Sequence, residues 1–123
     1  MDTPFRVLLI DDDADLRKLI KLTLEFTAGW EVATAGDGVA GLEEARRQKP
    51  DVIVLDVMMP VMDGYEVCRR LKQDPALAAI PVVLLTARKE QDEERLRTSG
   101  AAGVVLKPFD PEGLAARIRE LVG

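Results

Sequence analysis

Five short apolar runs, separated by stretches with helical spacing, constrain the fold of this chain more than any other feature. The runs cover residues 5–10, 30–35, 51–55, 81–85 and 103–106. Their lengths and their content of Val, Leu and Ile are typical of buried β-strands. Strands that alternate with helices along a chain form a parallel sheet that helices cover on both faces.

The stretches between these runs predict five helices, in which apolar residues recur at intervals of three or four. The expected apolar faces comprise Leu16, Leu19, Ile20 and Leu24; Val39, Leu42 and Ala45; Val67, Cys68 and Leu71; and Leu114, Ile118 and Leu121. The fourth helix, residues 90–98, is nearly all charged, and Leu96 is its main apolar residue. Gly29 is suited to end the first helix. Residues suited to start a helix are Asp37 for the second, Asp63–Gly64 for the third, and Asp110 with Pro111 in the first position for the fifth.

This pattern predicts an α/β fold with a doubly wound, five-stranded parallel sheet in the order 2-1-3-4-5, the flavodoxin-like arrangement. Right-handed crossovers and the shortness of the chain favour this order over the alternatives. A chain of 123 residues supports one core, so residues 1–123 are expected to form a single domain.

The composition excludes several classes of function. The formal net charge of −5 disfavours direct binding to nucleic acid, which requires clustered Lys and Arg. Zinc sites and histidine-based catalysis are excluded because the chain has no His and one Cys. The single Cys also fits a reducing compartment, and no run is long enough to span a bilayer, so a cytoplasmic protein without membrane association is expected.

Polar residues follow four of the five apolar runs, and they are the candidate functional residues. Asp11 and Asp12 follow the first run, Asp56 the third, Thr86 the fourth and Lys107 the fifth. In a parallel sheet these positions share one edge, where ligands bind at the switch point between strands 1 and 3. Two carboxylates at ~4 Å repel by about 4 kcal/mol at an effective dielectric of 20, which a bound cation relieves. Oxygen ligands in an open cage favour Mg²⁺, and the central Asp56 is suited to attack a phosphoryl group.

At these residues the chain resembles the receiver domains of two-component response regulators, the family that includes the chemotaxis regulator. The matching motifs occur in the family's order and extend along the whole chain: Leu9–Asp12, Val54–Asp56 with Met59–Pro60 and Met62–Gly64, Leu85–Ala87, and Leu106–Phe109.

The resemblance implies a role for each candidate residue. Asp56 would accept a phosphoryl group from a histidine kinase or phosphotransfer protein, and Mg²⁺ would be held by Asp11, Asp12, Asp56 and the backbone carbonyl of Met58. Thr86 would bind the phosphoryl oxygen, and Lys107 would pair with the acyl phosphate. A cis peptide bond is implied at Lys107–Pro108. Such a domain is a phosphoacceptor rather than an enzyme, and it passes its signal to a downstream protein or an attached output domain by switching a partner-binding surface.

The chain departs from the family pattern at three places. Val104 stands where the family usually has Tyr or Phe as a reporter of phosphorylation. Ala102–Gly103 replaces an acidic pair common in receivers that dimerise through helix 4, strand 5 and helix 5. Met58 and Arg88 occupy positions that influence the lifetime of the phosphoryl group in this family.

Two other functions fit part of the sequence. A haloacid-dehalogenase-like phosphatase would use Asp11 as its nucleophile, with the Asp-x-Asp spacing of Asp11 and Asp13, but Asp15 and the absence of a cap argue against it. A receiver that binds partners without being phosphorylated would not need the intact acidic site.

Some residues are expected to have a structural role and no function of their own. Asp13 is expected to be an N-cap and Cys68 a core residue, and residues 89–97 are expected to form a solvated or loosely held helix.

Overall fold

The computed structural model describes residues 5–87 and 91–123. The described strands are β1 (Arg6–Ile10), β2 (Glu31–Ala35), β3 (Val52–Asp56), β4 (Val82–Ala87) and β5 (Gly103–Lys107). The described helices are α1 (Ala14–Ala28), α2 (Gly38–Gln48), α3 (Gly64–Gln73), α4 (Glu93–Ser99) and α5 (Leu114–Val122), with a 3₁₀ turn at Pro111–Gly113. Arg88, which occupies a family position that influences phosphoryl lifetime, lies outside the described residues. Glu90, the expected start of the fourth helix, also lies outside them.

The five strands form one parallel sheet in the order β2-β1-β3-β4-β5, so the predicted fold class and strand order are confirmed. In the register, Ile10 lies opposite Leu55, and Asp56 lies opposite Leu85. The ends of β1, β3 and β4 are therefore level at one edge of the sheet.

Successive strand residues face two separate hydrophobic layers, as the pleat requires. Leu8, Ile53 and Leu84 pack with residues of α2 and α3, and Leu96 of α4 packs against the same layer. Val7, Val54 and Val83 pack on the other side with residues of α1 and α5. Helices therefore cover both faces, which is why the strands read as continuous apolar runs.

Aspartate caps begin four of the described helices, and the sequence predicted those of α1, α2 and α3 but not the cap of α4. Asp13, Asp37, Asp63 and Asp92 each accept a hydrogen bond from a backbone N–H in the first turn of α1, α2, α3 and α4. Gly29 ends α1 in the left-handed conformation that glycine favours. Cys68 is fully buried, as expected of a small core residue.

Two predicted core residues and several boundaries were wrong. Leu19 and Val39 are 48% and 55% exposed, since α1 buries Ile20 and Leu24, and α2 buries Leu42 and Ala45 with Gly38 and Gly41. Pro111 opens a 3₁₀ turn and not the α-helix itself, which starts at Leu114. Trp30 precedes β2, and β4 continues one residue past Thr86. None of the helices in the described ranges combines the length and apolar character needed to cross a membrane.

Candidate functional site

The carboxyl edge of the sheet brings the predicted site residues together. Asp11 follows the last residue of β1, Asp56 ends β3, Thr86 lies in β4, and Lys107 ends β5. Since β1 and β3 are neighbours and their helices α1 and α3 lie on opposite faces, the crevice forms between these two strands. The Lys107–Pro108 peptide bond beyond β5 is cis, as the resemblance implied.

Asp56 lies at the centre of this edge, and it is only 3% exposed. The Lys107 ammonium group donates a hydrogen bond to its Oδ1 at 2.7 Å, and the two groups form a partly buried ion pair. A buried carboxylate is costly unless it is paired, and the Lys107 ammonium group supplies a paired charge for Asp56.

Asp11 is fully buried, and its two oxygens differ in environment. Oδ1 accepts a hydrogen bond from the backbone N–H of Asp13 at 2.9 Å, whereas Oδ2 has no hydrogen-bond partner among the described groups. Burial raises the pKa of Asp11 to about 6, with a smaller contribution in the same direction from the charge of Asp56. An unpartnered buried oxygen is a position where a cation would replace the missing interaction.

Asp11, Asp12 and Asp56 form a candidate metal site. One carboxylate oxygen of each lies within 4.8 Å of the others. Asp12 is exposed, so the cluster opens to solvent. Three oxygen donors in a partly open cluster fit Mg²⁺, which prefers oxygen ligands and keeps several of its waters. The donor set and the unpartnered Asp11 oxygen therefore both suit this ion.

Met58 lies two residues after Asp56, in the loop that leaves β3. Its side chain is 58% exposed, whereas the neighbouring Met59 and Met62 are buried and pack in the core. The loop contains tight turns, in which the N–H of Met59 bonds to the carbonyl of Val57 and the N–H of Met62 bonds to the carbonyl of Pro60.

Thr86 is 1% exposed, and its hydroxyl donates a hydrogen bond to the carbonyl of Ala87 at 3.1 Å. A hydroxyl can rotate to a new acceptor at little cost, so this contact does not fix the group. Val104, which lies opposite Leu84 in the sheet, is partly buried against the layer formed with α2 and α3.

Two residues that the sequence did not single out for function support the site. The Arg17 guanidinium donates a hydrogen bond to the backbone carbonyl of Asp11 at 2.7 Å. Gly64 brings α3 directly against Asp56, because a Cβ at this position would lie 2.5 Å from the Asp56 carbonyl oxygen. The Asp63–Gly64 pair predicted a helix start. The contact of Gly64 with Asp56 and that of Arg17 with the Asp11 carbonyl have no signal of their own in the sequence.

Comparisons with a family model and with curated proteins point to the same family. The family model described as "Response regulator receiver domain" matches residues 7–119. The response regulator PleD of Caulobacter vibrioides is 49% identical over 119 residues, which are 94% of this chain and 26% of PleD. Curated relatives are longer, and this chain spans between about a quarter and a half of their length.

Solved structures that share the fold include two with high coverage. The chemotaxis response regulator CheY4 of Vibrio cholerae has a TM-score of 0.89 and is 34% identical, and the match covers 97% of this chain and 99% of CheY4. The receiver domain of the sensor histidine kinase PA1611 of Pseudomonas aeruginosa has a TM-score of 0.86 and is 28% identical. The match covers 98% of this chain and 99% of that domain. That structure holds a magnesium ion in its active-site cleft.

Proposed function

The chain belongs to the family of response regulator receiver domains, and on this premise we propose that Asp56 is the residue that accepts the phosphoryl group. Receiver domains are phosphoacceptors of two-component signal transduction, and they bind Mg²⁺. The observation that carries the assignment to Asp56 is its position: it is buried, paired with Lys107 at 2.7 Å and clustered with Asp11 and Asp12.

The proposed donor is the phosphohistidine of a histidine kinase or phosphotransfer protein. A carboxylate oxygen of Asp56 forms the new O–P bond while the N–P bond of the phosphohistidine breaks, and the electron pair of that bond stays with the imidazole nitrogen. Lys107 is already within hydrogen-bond distance of Asp56, so its charge is in place when the phosphoryl oxygens arrive.

The proposed Mg²⁺ ligands are Asp11, Asp12, Asp56 and the backbone carbonyl of Met58. The bound ion supplies positive charge that offsets the charge on the phosphoryl oxygens. Asp11 offers its unpartnered oxygen, and the hydrogen bond from Asp13 holds the other, so the carboxylate is oriented in advance.

Thr86 is the proposed partner of the phosphoryl group on β4. Its hydroxyl would exchange the Ala87 carbonyl for a phosphoryl oxygen and bias the residues that follow β4. The surface formed by α4, β5 and α5 would change as a result.

We propose that residues 1–123 act as one receiver domain in the cytoplasm and signal by protein contact, to a separate protein or an attached output domain. The net charge of −5 supports protein contact over nucleic acid for this domain. Some relatives are described as DNA-binding regulators, and that description applies to those longer proteins. The domain itself would catalyse only its own phosphorylation and dephosphorylation.

The decisive experiment is incubation with Mg²⁺ and acetyl phosphate, followed by intact mass spectrometry. We expect one phosphoryl adduct on the wild type and none on Asp56→Asn. Asp51→Asn is the matched control because Asp51 precedes the other end of β3, where it accepts a hydrogen bond from the Arg6 N–H. An undiminished adduct on Asp56→Asn, or none on the wild type, would contradict the proposal, and the latter would revive an unphosphorylated interaction module.

The family match supports the receiver function over the phosphatase interpretation, in which Asp11 would be the nucleophile. Accordingly, we expect no turnover of p-nitrophenyl phosphate by the same preparation. Trp30 is unsuited as a reporter in these assays, since it precedes β2 and packs against Phe5 and Arg119 at the edge opposite the site.

A further inference from the structure

The N-terminal ends of α3 and α4 are joined by a polar contact between Arg95 and Asp63. The Arg95 guanidinium donates two hydrogen bonds, at 2.7 and 2.9 Å, to the two oxygens of Asp63. It also lies over the ring of Tyr65, 4.8 Å from the ring centre. Two parallel bonds and a stacked ring fix a guanidinium more firmly than an ordinary surface ion pair.

A second contact lies beside the first and involves the backbone. The Tyr65 hydroxyl accepts a hydrogen bond from the N–H of Asp92 at 3.1 Å, and Tyr65 is only 4% exposed. Asp92 is the N-cap of α4 and accepts a hydrogen bond from the N–H of Arg95. The start of α4 is thus attached to α3 through both its cap residue and its first turn.

The α3 end of these contacts is packed against Asp56. Asp63 is the N-cap of α3, and the N–H of the next residue, Gly64, bonds to the carbonyl of Val57 at 2.9 Å. The lack of a side chain at Gly64 lets the helix touch the Asp56 backbone. The backbone of Asp56 and Val57 is therefore in direct contact with the residue that follows Asp63.

Little else holds α4 in place by apolar burial. Ser99 is its only buried residue, and Leu96 is partly buried. An element with few buried apolar contacts lies at the low-stability end of a fold, where a few polar contacts decide its position.

We propose that Asp63, Tyr65, Asp92 and Arg95 form a latch that holds α4 in its position in the unphosphorylated domain and couples that position to the state of Asp56. This α3–α4 latch rests on the proposed function of Asp56. It provides a connection to α4 through α3, separate from the route that runs through Thr86 on β4.

The latch has a thermodynamic consequence. If it is stronger in the unphosphorylated conformation, removing it shifts the population towards the other conformation. Linkage then requires that a ligand selective for the phosphorylated conformation bind more tightly to the unlatched domain. Beryllofluoride with Mg²⁺ is such a ligand, because it stands in for the phosphoryl group on the acceptor carboxylate.

The test compares two latch variants with a control. Arg95→Ala removes the ion pair and the ring contact, whereas Tyr65→Phe removes only the hydroxyl group. Arg97→Ala is the matched control, since Arg97 is an exposed arginine in the last turn of the same helix. We expect hydrogen exchange of the α4 amides to rise severalfold in both latch variants, and beryllofluoride to bind about threefold to tenfold more tightly, with no change in the control.

The ion pair is tested separately with Asp63→Asn, which keeps an N-cap acceptor for α3 but removes the charge. We expect the effect of the double variant Asp63→Asn/Arg95→Ala to be much smaller than the sum of the two single-variant effects. Faster exchange in α4 with unchanged beryllofluoride affinity would overturn the coupling. Exchange no faster than in Arg97→Ala would overturn the latch itself. A wild type that takes up no beryllofluoride would instead contradict the proposed function.

Discussion

Asp11 combines complete burial with a pKa of about 6, compared with 3.8 for an ordinary aspartate. The main cause of this raised pKa is desolvation of the carboxylate. Below about pH 6 the protonated form is therefore favoured in the metal-free fold, and a proton and a cation compete for the same group. The affinity for Mg²⁺ should accordingly fall as the pH drops through about 6.

Asp11 gives the metal-free domain a distinctive pH dependence. Between pH 3.8 and about 6 the folded state binds a proton that the unfolded state has lost, so stability falls as the pH rises across this window. The loss is at most about 3 kcal/mol, and Asp11→Asn should remove it. Urea unfolding with a chelator at several pH values measures this slope. Asp51→Asn should retain the wild-type slope, and an equal slope in Asp11→Asn would contradict the expectation.

Arg17 is suited to position the candidate metal site, since it donates a hydrogen bond to the Asp11 carbonyl at 2.7 Å. Arg17→Ala leaves this carbonyl without its donor and loosens the loop that carries Asp11 and Asp12. We expect Mg²⁺ affinity to fall about tenfold, the lower end of the range for losing a group that orients a ligand. Calorimetric titration provides the measurement, with Lys18→Ala, an exposed neighbour on α1, as the control. Equal affinities for the two variants would show that Arg17 has no positioning role.

At the scale of elements, the loop between β3 and α3 contains a strained turn. Val61 has a φ of +70° and a fully exposed side chain, and it lies at the centre of the turn closed by Pro60 and Met62. A β-branched residue is disfavoured at positive φ, where the strain is of order 1–3 kcal/mol.

Val61→Gly should relieve this strain and raise the free energy of unfolding by about 1 kcal/mol, after the greater flexibility of glycine in the unfolded chain is deducted. Urea unfolding measures the change. Val39→Gly provides a control of opposite sign, since Val39 is also exposed but lies in a helix, where glycine is unfavourable. A loss of stability in both variants would argue against strain at Val61.

The elements were predicted from sequence because burial and capping leave local signals. The runs that end at Ile10 and Leu55 are buried on both faces, so each appears as an apolar segment. Leu19 and Val39 were misplaced because helical spacing alone does not say how wide the buried face is. The 3₁₀ turn at Pro111–Gly113 has the same start signals as an α-helix.

For the whole molecule, the strand order was enough to bring Asp11, Asp56, Thr86 and Lys107 to one edge. The supporting contacts could not be predicted. Arg17 reaches a backbone carbonyl, which no residue type reveals, and Arg95 meets Asp63 across 32 positions of sequence. Long polar side chains on solvated helices show no periodicity that would indicate their partners.

The ion pair between Asp56 and Lys107 joins positions separated by 51 residues, and Lys107 ends the last strand of the sheet. During translation the acidic residues of the first strands leave the ribosome well before this lysine. A nascent chain that stops short of β5 consequently lacks both the ammonium group and an edge strand of the sheet, so the pair at Asp56 can form only after the last strand has been made.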